Sequence, residues 1–312
     1  MDRIPKPAWR TWAIRVMRVL IVCGVVLMGA LLILPDGTIS FLTRALLLRH
    51  EGCTVGEALA SVRPSGAIRR ERNRFLRASS IVRRDPAGYV LWHTPSGDYW
   101  APDRDLSLFF VLAELEQEPY GAGVSGAGRG DIVLDCGAHL GVFTRQALRA
   151  GAKLVVAIEP GPQAVECLKR TFAPEIAAGR VIVEPQGVWN LETHLRLYSN
   201  GDTVVSTVFG PDSTASVSIP VTTIDHLVSA RGLNQVDFIK MDIEGSEQQA
   251  LAGASGTLMQ FKPRLAIASY HRIDDHLRIP EIVLKANPAY RFASVGCRLD
   301  LGAVVPLTLM FR

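Results

Sequence analysis

Between residues 131 and 270 the chain alternates short apolar runs with amphipathic segments, and this rhythm limits its possible folds more than any other feature. The runs are DIVLDC (131–136), LVVAIE (154–159), VIVE (181–184), VDFIKMD (236–242) and LAIASY (265–270). Each is short for a buried helix and apolar on both faces, which a sheet with one wet side does not produce. Such strands separated by helices form a parallel sheet covered on both sides, so a doubly wound α/β domain is predicted. The interval 191–225 breaks the rhythm: strand-like 194–199 and 216–222 surround Asn200-Gly201, a hairpin signal, and a β insertion is expected there. The segments 290–295 and 304–311 read as a closing strand pair.

Upstream, strand-like runs at 89–93 and 98–100 flank the turn Pro95-Ser96-Gly97, and a helix over 105–118 precedes the loop GAGVSGAGRG at 121–130. That loop lacks the GK[ST] ending of a phosphate-binding P-loop and reads as a linker. Residues 36–80 are rich in arginine and show no strand alternation, so they read as a helical connector. Val19–Leu34 is a run of sixteen uncharged residues. Extended back to Ala13 it reaches the roughly 30 Å of a hydrocarbon core, with Trp9, Trp12, Arg15 and Arg18 suited to the interface. Nothing after it resembles a small-x-small cleavage site, so an uncleaved membrane helix is expected. The expected organisation is a tail and anchor (1–35), the connector (36–80), a cap with the Gly-rich linker (81–130) and the catalytic domain (131–312).

Charge supports the same division. The net charge is +4, but residues 1–18 hold +4 and residues 61–85 hold +6, leaving −6 for the remainder. A basic block beside an apolar segment favours lipid headgroups as partner over nucleic acid. The five cysteines include no C-x-x-C pair, so neither a disulfide framework nor a zinc site is readable, and a reducing compartment is expected. The basic N-terminus places the rest of a single-span chain outside, whereas the second basic block argues the opposite.

The chemistry gathers at the ends of the apolar runs. The first leads into Asp135-Cys136-Gly137-Ala138-His139-Leu140-Gly141, a turn whose glycines let backbone approach a ligand where doubly wound sheets bind nucleotides. Its G-x-x-x-G spacing departs from the G-x-G-x-x-G of dinucleotide sites, which weighs against NAD or FAD. The second run ends in Glu159, placed to bond a ribose diol or to cap the next helix. In VDFIKMDIEGSE, strand alternation puts Lys240, Asp242 and Glu244 on one side. Three charges in a central strand are tolerable only if paired or facing a cavity, which makes them functional candidates beside the plainer reading of a Lys240–Asp242 ion pair. His271, after the next run, comes out beside Asp242 if the two strands are neighbours.

The runs DIVLDCGAHLGVFT, VVAIEPGP and VDFIKMDIEGSEQQALAGA together resemble the FkbM family of S-adenosylmethionine-dependent methyltransferases, over roughly residues 85–295. The resemblance implies a seven-stranded, Rossmann-like methyltransferase sheet and methyl transfer to a hydroxyl, often on a sugar or macrolide. It implies that Asp135, Gly137 and Gly141, with Ala138 and His139 between them, line the methionine part of S-adenosylmethionine, and that Glu159 holds the ribose. Lys240, Asp242 and Glu244 match its K-x-D-x-E-G signature near the methyl group. Where relatives place a glutamate after the next strand, this chain has Ser269, followed by His271.

The expected activity is therefore a membrane-associated O-methyltransferase that aligns a sugar or glycan hydroxyl with the methyl group. Asp242 is the first candidate base, His271 the second, and Lys240 orients the base or steadies the alkoxide. A divalent metal is not expected, although Asp242, Glu244 and His271 are the groups that would hold one. Because the cofactor is made in the cytoplasm, the catalytic domain is expected on that side of the membrane, single-pass or monotopic. A non-catalytic membrane scaffold and a nucleotide-sugar oxidoreductase are the competing readings; loss of cofactor binding would favour the first, and the absent G-x-G-x-x-G disfavours the second.

Overall fold

The computed structural model describes Met17, Gly24, residues 52–54, 56–57, 66–116, 119–121, 126–199, 206–207, 216–300 and 303–312. Helix α1 (Ala67–Arg77) precedes an antiparallel meander of β1 (Ser80–Asp85), β2 (Tyr89–Thr94) and β3 (Gly97–Pro102), followed by α2 (Ser107–Leu115). The parallel part then runs β4 (Ile132–Cys136), α3 (Val142–Arg149), β5 (Leu154–Ile158), α4 (Pro162–Thr171), α5 (Ala173–Ala177) and β6 (Val181–Glu184). The insertion holds β7 (Gly187–Val188), β8 (Thr193–Ser199), β9 (Ser206–Thr207) and β10 (Ser216–Thr222). Helix α6 (Ile224–Ala230), β11 (Phe238–Met241), α7 (Glu247–Ala252), α8 (Ser255–Gln260), β12 (Arg264–Ala268), α9 (Asp275–Ala286), β13 (Phe292–Asp300) and β14 (Ala303–Phe311) complete the chain.

The main sheet has seven strands in the order β13-β14-β12-β11-β4-β5-β6, parallel from β12 to β6, with β14 antiparallel to both its neighbours. Strand alternation feeds two cores. Val133, Val155, Phe238 and Ala266 belong to one hydrophobic cluster, whereas Leu134, Val156, Ile239 and Ile267, each one residue later, belong to the other. This is why the runs are apolar on both faces.

The N-terminal meander joins the first of these cores: Tyr99, Trp100 and Phe109 lie in it, and the Trp100 N–H donates to Thr171 Oγ1 at 2.9 Å. The insertion forms its own sheet, β7-β10-β8-β9, with β8 and β10 antiparallel as expected; the Asn200-Gly201 turn lies outside the described residues. Of the connector, α1 is described; it buries Phe75 and exposes a basic face. Part of that basic block is paired, Arg74 with Glu71 and Glu116, and Arg84 with Asp103.

The segment 13–34 lies outside the described residues apart from Met17 and Gly24, and among the described residues no helix is long and apolar enough to cross a membrane. The cysteines are corrected by the structure: Cys53 forms a disulfide with Cys297, while Cys136 and Cys167 are free and buried. Cysteines 244 positions apart meet because β13 brings Cys297 to the segment around Cys53, a contact that no local spacing announces.

Candidate active site

A cleft of about 1130 Å³, counting space open to solvent, lies over the carboxyl ends of β4, β5 and β11. The turn after β4 is held in left-handed conformations at Gly137 (φ 78°), His139 (φ 51°) and Gly141 (φ 85°). Two of these must be glycine for packing reasons as well. A Cβ on Gly137 would lie 2.0 Å from the Asp242 carbonyl oxygen, and one on Gly141 2.2 Å from Phe172. The turn therefore presses β4 against the loop after β11.

Gly137, Ala138, His139 and Glu159 border the cleft; Asp135 and Gly141, expected beside them, do not. Asp135 is fully buried beneath it, 3.3 Å from Lys240 Nζ and accepting from Thr144 Oγ1 at 2.7 Å. The register explains this: Lys240 on β11 sits directly opposite Asp135 on β4, so the side chains share a face. The remaining donors of Lys240 go to the carbonyls of Gly137 (2.7 Å) and Cys136 (3.3 Å). Burial pushes the ammonium down, but the charges of Asp135 and Asp242 outweigh it and hold the pKa above the ordinary lysine value. Lys240 is thus committed to tying the turn to β11, and its ion pair is with Asp135 rather than Asp242.

Glu159 is buried, and its oxygens accept from the backbone N–H groups of His139 (2.9 Å) and Gly161 (2.8 Å). Among the described residues no cation lies within ion-pair distance of it. Burial raises its pKa, and the two backbone donors pull it back only in part. A buried carboxylate served by two donors has acceptor capacity left, which fits a ligand that brings hydroxyl donors. Burial also lowers the His139 pKa to about 4, so that imidazole is neutral; its Nε2 lies 3.2 Å from Ser107 Oγ.

At the other end of the cleft stand Asp242 and Glu244, past the end of β11, with Glu114, Tyr120 and Tyr270. His271 follows β12, the neighbour of β11, and its Nε2 lies 3.5 Å from Asp242 Oδ1 and 3.6 Å from Glu244 Oε2. Its Nδ1 is 3.0 Å from Glu247 Oε1, which also accepts from the Ile243 N–H at 2.8 Å. Asp242 Oδ2 accepts from the Tyr120 hydroxyl at 2.5 Å. Glu244 is turned toward this group by a left-handed backbone, φ 54°.

The electrostatics separate these groups. Burial opposes the charge of His271, but the bond to Glu247 and the charges of Glu247, Asp242 and Glu244 raise its pKa to about 10. With no ion between them, these carboxylates favour its protonated form, which weighs against it as the second candidate base. Asp242 is held below the ordinary carboxylate value: burial raises it, and His271, Lys240 and the Tyr120 bond more than reverse this. Burial, with the Asp242 charge adding, raises Glu244 to about 7 and Glu114 to about 6. Sequence reasoning missed Glu114, Tyr120 and Tyr270, which come from outside the motif or carry no spacing of their own. Glu247 lies within the motif run, but strand alternation singled out only Lys240, Asp242 and Glu244 there. Ser269, where relatives carry a glutamate, is buried and donates to the Pro306 carbonyl at 3.0 Å, away from this group.

Comparison with known proteins bears on this geometry. No curated protein matches the chain in sequence. Among solved structures it is similar to an FkbM methyltransferase from Methylobacillus flagellatus KT, at 23% identity and a TM-score of 0.46, over 68% of this chain and 56% of that one. It is also similar to Trm5b from Pyrococcus abyssi (13% identity, TM-score 0.38, 75% of this chain and 56% of that one). M. jannaschii TYW2, solved in complex with AdoMet, resembles it at 12% identity and a TM-score of 0.38, over 74% of this chain and 87% of that one. The chain thus spans little more than half the length of the first two, and likenesses this weak carry no argument about activity. The sequence is more decisive: the family described as the methyltransferase FkbM domain matches residues 135–292, from the buried Asp135 through the Asp242 loop to the start of β13. With just over half of its length so matched, the chain belongs to the FkbM methyltransferase family.

Proposed function

We propose that the chain transfers a methyl group from S-adenosylmethionine to a hydroxyl of a sugar or glycan. Glu159 carries this reading. It is a buried carboxylate in the cleft wall, held by two backbone N–H groups, with no cation within ion-pair distance among the described residues and lone pairs left for a diol. Gly137, Ala138 and His139 offer backbone beside it, and Ile158, Val188 and Trp189 offer an apolar wall for a flat base. When bound, S-adenosylmethionine supplies an electrophilic methyl group carried on a positively charged sulfur.

The chain's own residues supply the rest. Tyr120 and Tyr270 give the opposite end aromatic surface, and the carboxylates between them accept hydroxyl hydrogens, a combination suited to a sugar. Asp242, held low, orients a hydroxyl better than it deprotonates one. Glu114 at about 6 and Glu244 at about 7 are the carboxyls matched to taking a proton near neutral pH, a role worth roughly 10²–10⁴-fold. The basic face of α1 and the apolar segment 13–34 support an acceptor delivered at a membrane, with the cleft on the cytoplasmic side.

Calorimetry of S-adenosylmethionine with the full chain tests the reading. Micromolar binding is expected, weakened at least about 100-fold in Glu159→Ala, since two hydrogen bonds to a charged acceptor are worth about 1.5–3 kcal/mol each. A folded wild type that binds none, or a variant that binds as well, would overturn it in favour of a non-catalytic scaffold.

A further inference from the structure

We infer that Asp242, Glu244 and His271 form a divalent cation site whose open positions face the acceptor end of the cleft. The inference deepens the methyltransferase reading and rests on it only for what the ion does, not for whether it binds. One carboxylate oxygen from each acid and one imidazole nitrogen lie within 4.8 Å of one another. The Nε2 edges of that triangle are 3.5 Å to Asp242 and 3.6 Å to Glu244, longer than the roughly 2.7–3.2 Å of a hydrogen bond. They match the separation of about 3.0–3.6 Å between atoms that share an ion at about 2.0–2.2 Å.

The imidazole itself points to a ligand. His271 is nine-tenths buried, with 10% of its side chain exposed, and Nε2 faces both acids at ion-pair separation, too far for a hydrogen bond to either. Its other nitrogen is fixed by Glu247, whose side chain is fully buried and whose same oxygen is anchored by the Ile243 N–H. A buried carboxylate behind a histidine is how proteins set the tautomer and ring angle of a metal ligand, leaving the far nitrogen to bind. Asp242 and Glu244 border the cleft and His271 stands behind them, so an ion here keeps positions open on the cleft side, as catalytic sites do. Two carboxylates and one imidazole suit Mn²⁺ or another first-row divalent ion.

Such an ion gives the acceptor hydroxyl a ligand position and lowers its pKa. The hydroxyl oxygen then bonds the methyl carbon, and the carbon–sulfur pair leaves with the sulfur. The hydroxyl proton goes to Glu114, the cleft carboxylate that does not hold the ion.

The test is a Mn²⁺ titration of the full chain, with free ion followed by electron paramagnetic resonance. S-Adenosylmethionine binding is measured by calorimetry on the same samples. One Mn²⁺ per chain is expected, with affinity lost more than 100-fold in His271→Ala and reduced about 10–100-fold in Glu247→Gln, while S-adenosylmethionine still binds all three. Glu244→Gln, on the half-buried loop after β11, gives the same loss without removing the buried histidine. Wild type that binds Mn²⁺ no better than His271→Ala or Glu244→Gln overturns the site. Mn²⁺ binding without S-adenosylmethionine binding would leave the ion site standing and sink the methyltransferase reading instead.

Discussion

The two ends of the cleft hold carboxylates by opposite means. Glu159 rests on two backbone N–H groups, that of His139 in the left-handed turn after β4 and that of Gly161 after β5, and among the described residues no side chain of opposite charge lies within ion-pair distance of it. Asp242 and Glu244 stand in a group of side chains, Tyr120, His271 and Glu247, that hold one another. Backbone donors cannot be changed by substitution, so the first end is built for a ligand that never varies. Side chains can be exchanged one at a time, so the second is built for a partner and a chemistry that can. Lys240 joins the ends, bonding the Gly137 carbonyl on one side while its charge acts on Asp242 on the other.

Breaking that joint should have the largest effect. Lys240→Met leaves Asp135 charged and unpaired in the core, and should destabilise the fold by about 3–5 kcal/mol in denaturant melts. Adding Asp135→Asn should recover part of that loss; if the single variant melts like wild type, the two ends are independent. Next, Asp242→Asn should reduce methyl transfer by at least about 10²-fold through lost alignment while S-adenosylmethionine affinity stays within about threefold. A comparable loss of cofactor affinity would show that the division between ends is wrong.

The smallest effect concerns how dry the Glu159 end is. The folded pKa of His139 is lowered to about 4, so its contribution to stability is fully present above the ordinary 6.5 and lost as pH falls through 4. His139→Asn tolerates the left-handed backbone and has no such titration. The stability gap between wild type and this variant should shrink on acidification by on the order of 2 kcal/mol. A gap independent of pH would mean that water reaches the imidazole.

How much of this the sequence carried depends on whether a residue's surroundings are local. The parallel strands were legible because both faces of β4, β5, β11 and β12 are buried, so composition alone marks them. β1 was not, since Val82, Arg83 and Arg84 face solvent and leave no alternation to read. Within the site, Glu159, Asp242, Glu244 and His271 lie at strand ends where topology fixes their neighbours. Asp135 looked like a ligand-lining acid until β11 was laid against β4, which put Lys240 opposite it. Tyr120 and Glu114 reach the site from a segment before the sheet begins, and only the folded chain brings them within reach of Asp242.

The bond between Cys53 and Cys297 makes most of the molecule a closed covalent ring, with β14 on a tail outside it. That tail strand nonetheless lies between β12 and β13 in the main sheet, both of which begin within the ring. A protease that cuts one peptide bond anywhere in the ring therefore produces no separable fragments: the nicked chain stays a single molecule until a reductant opens it.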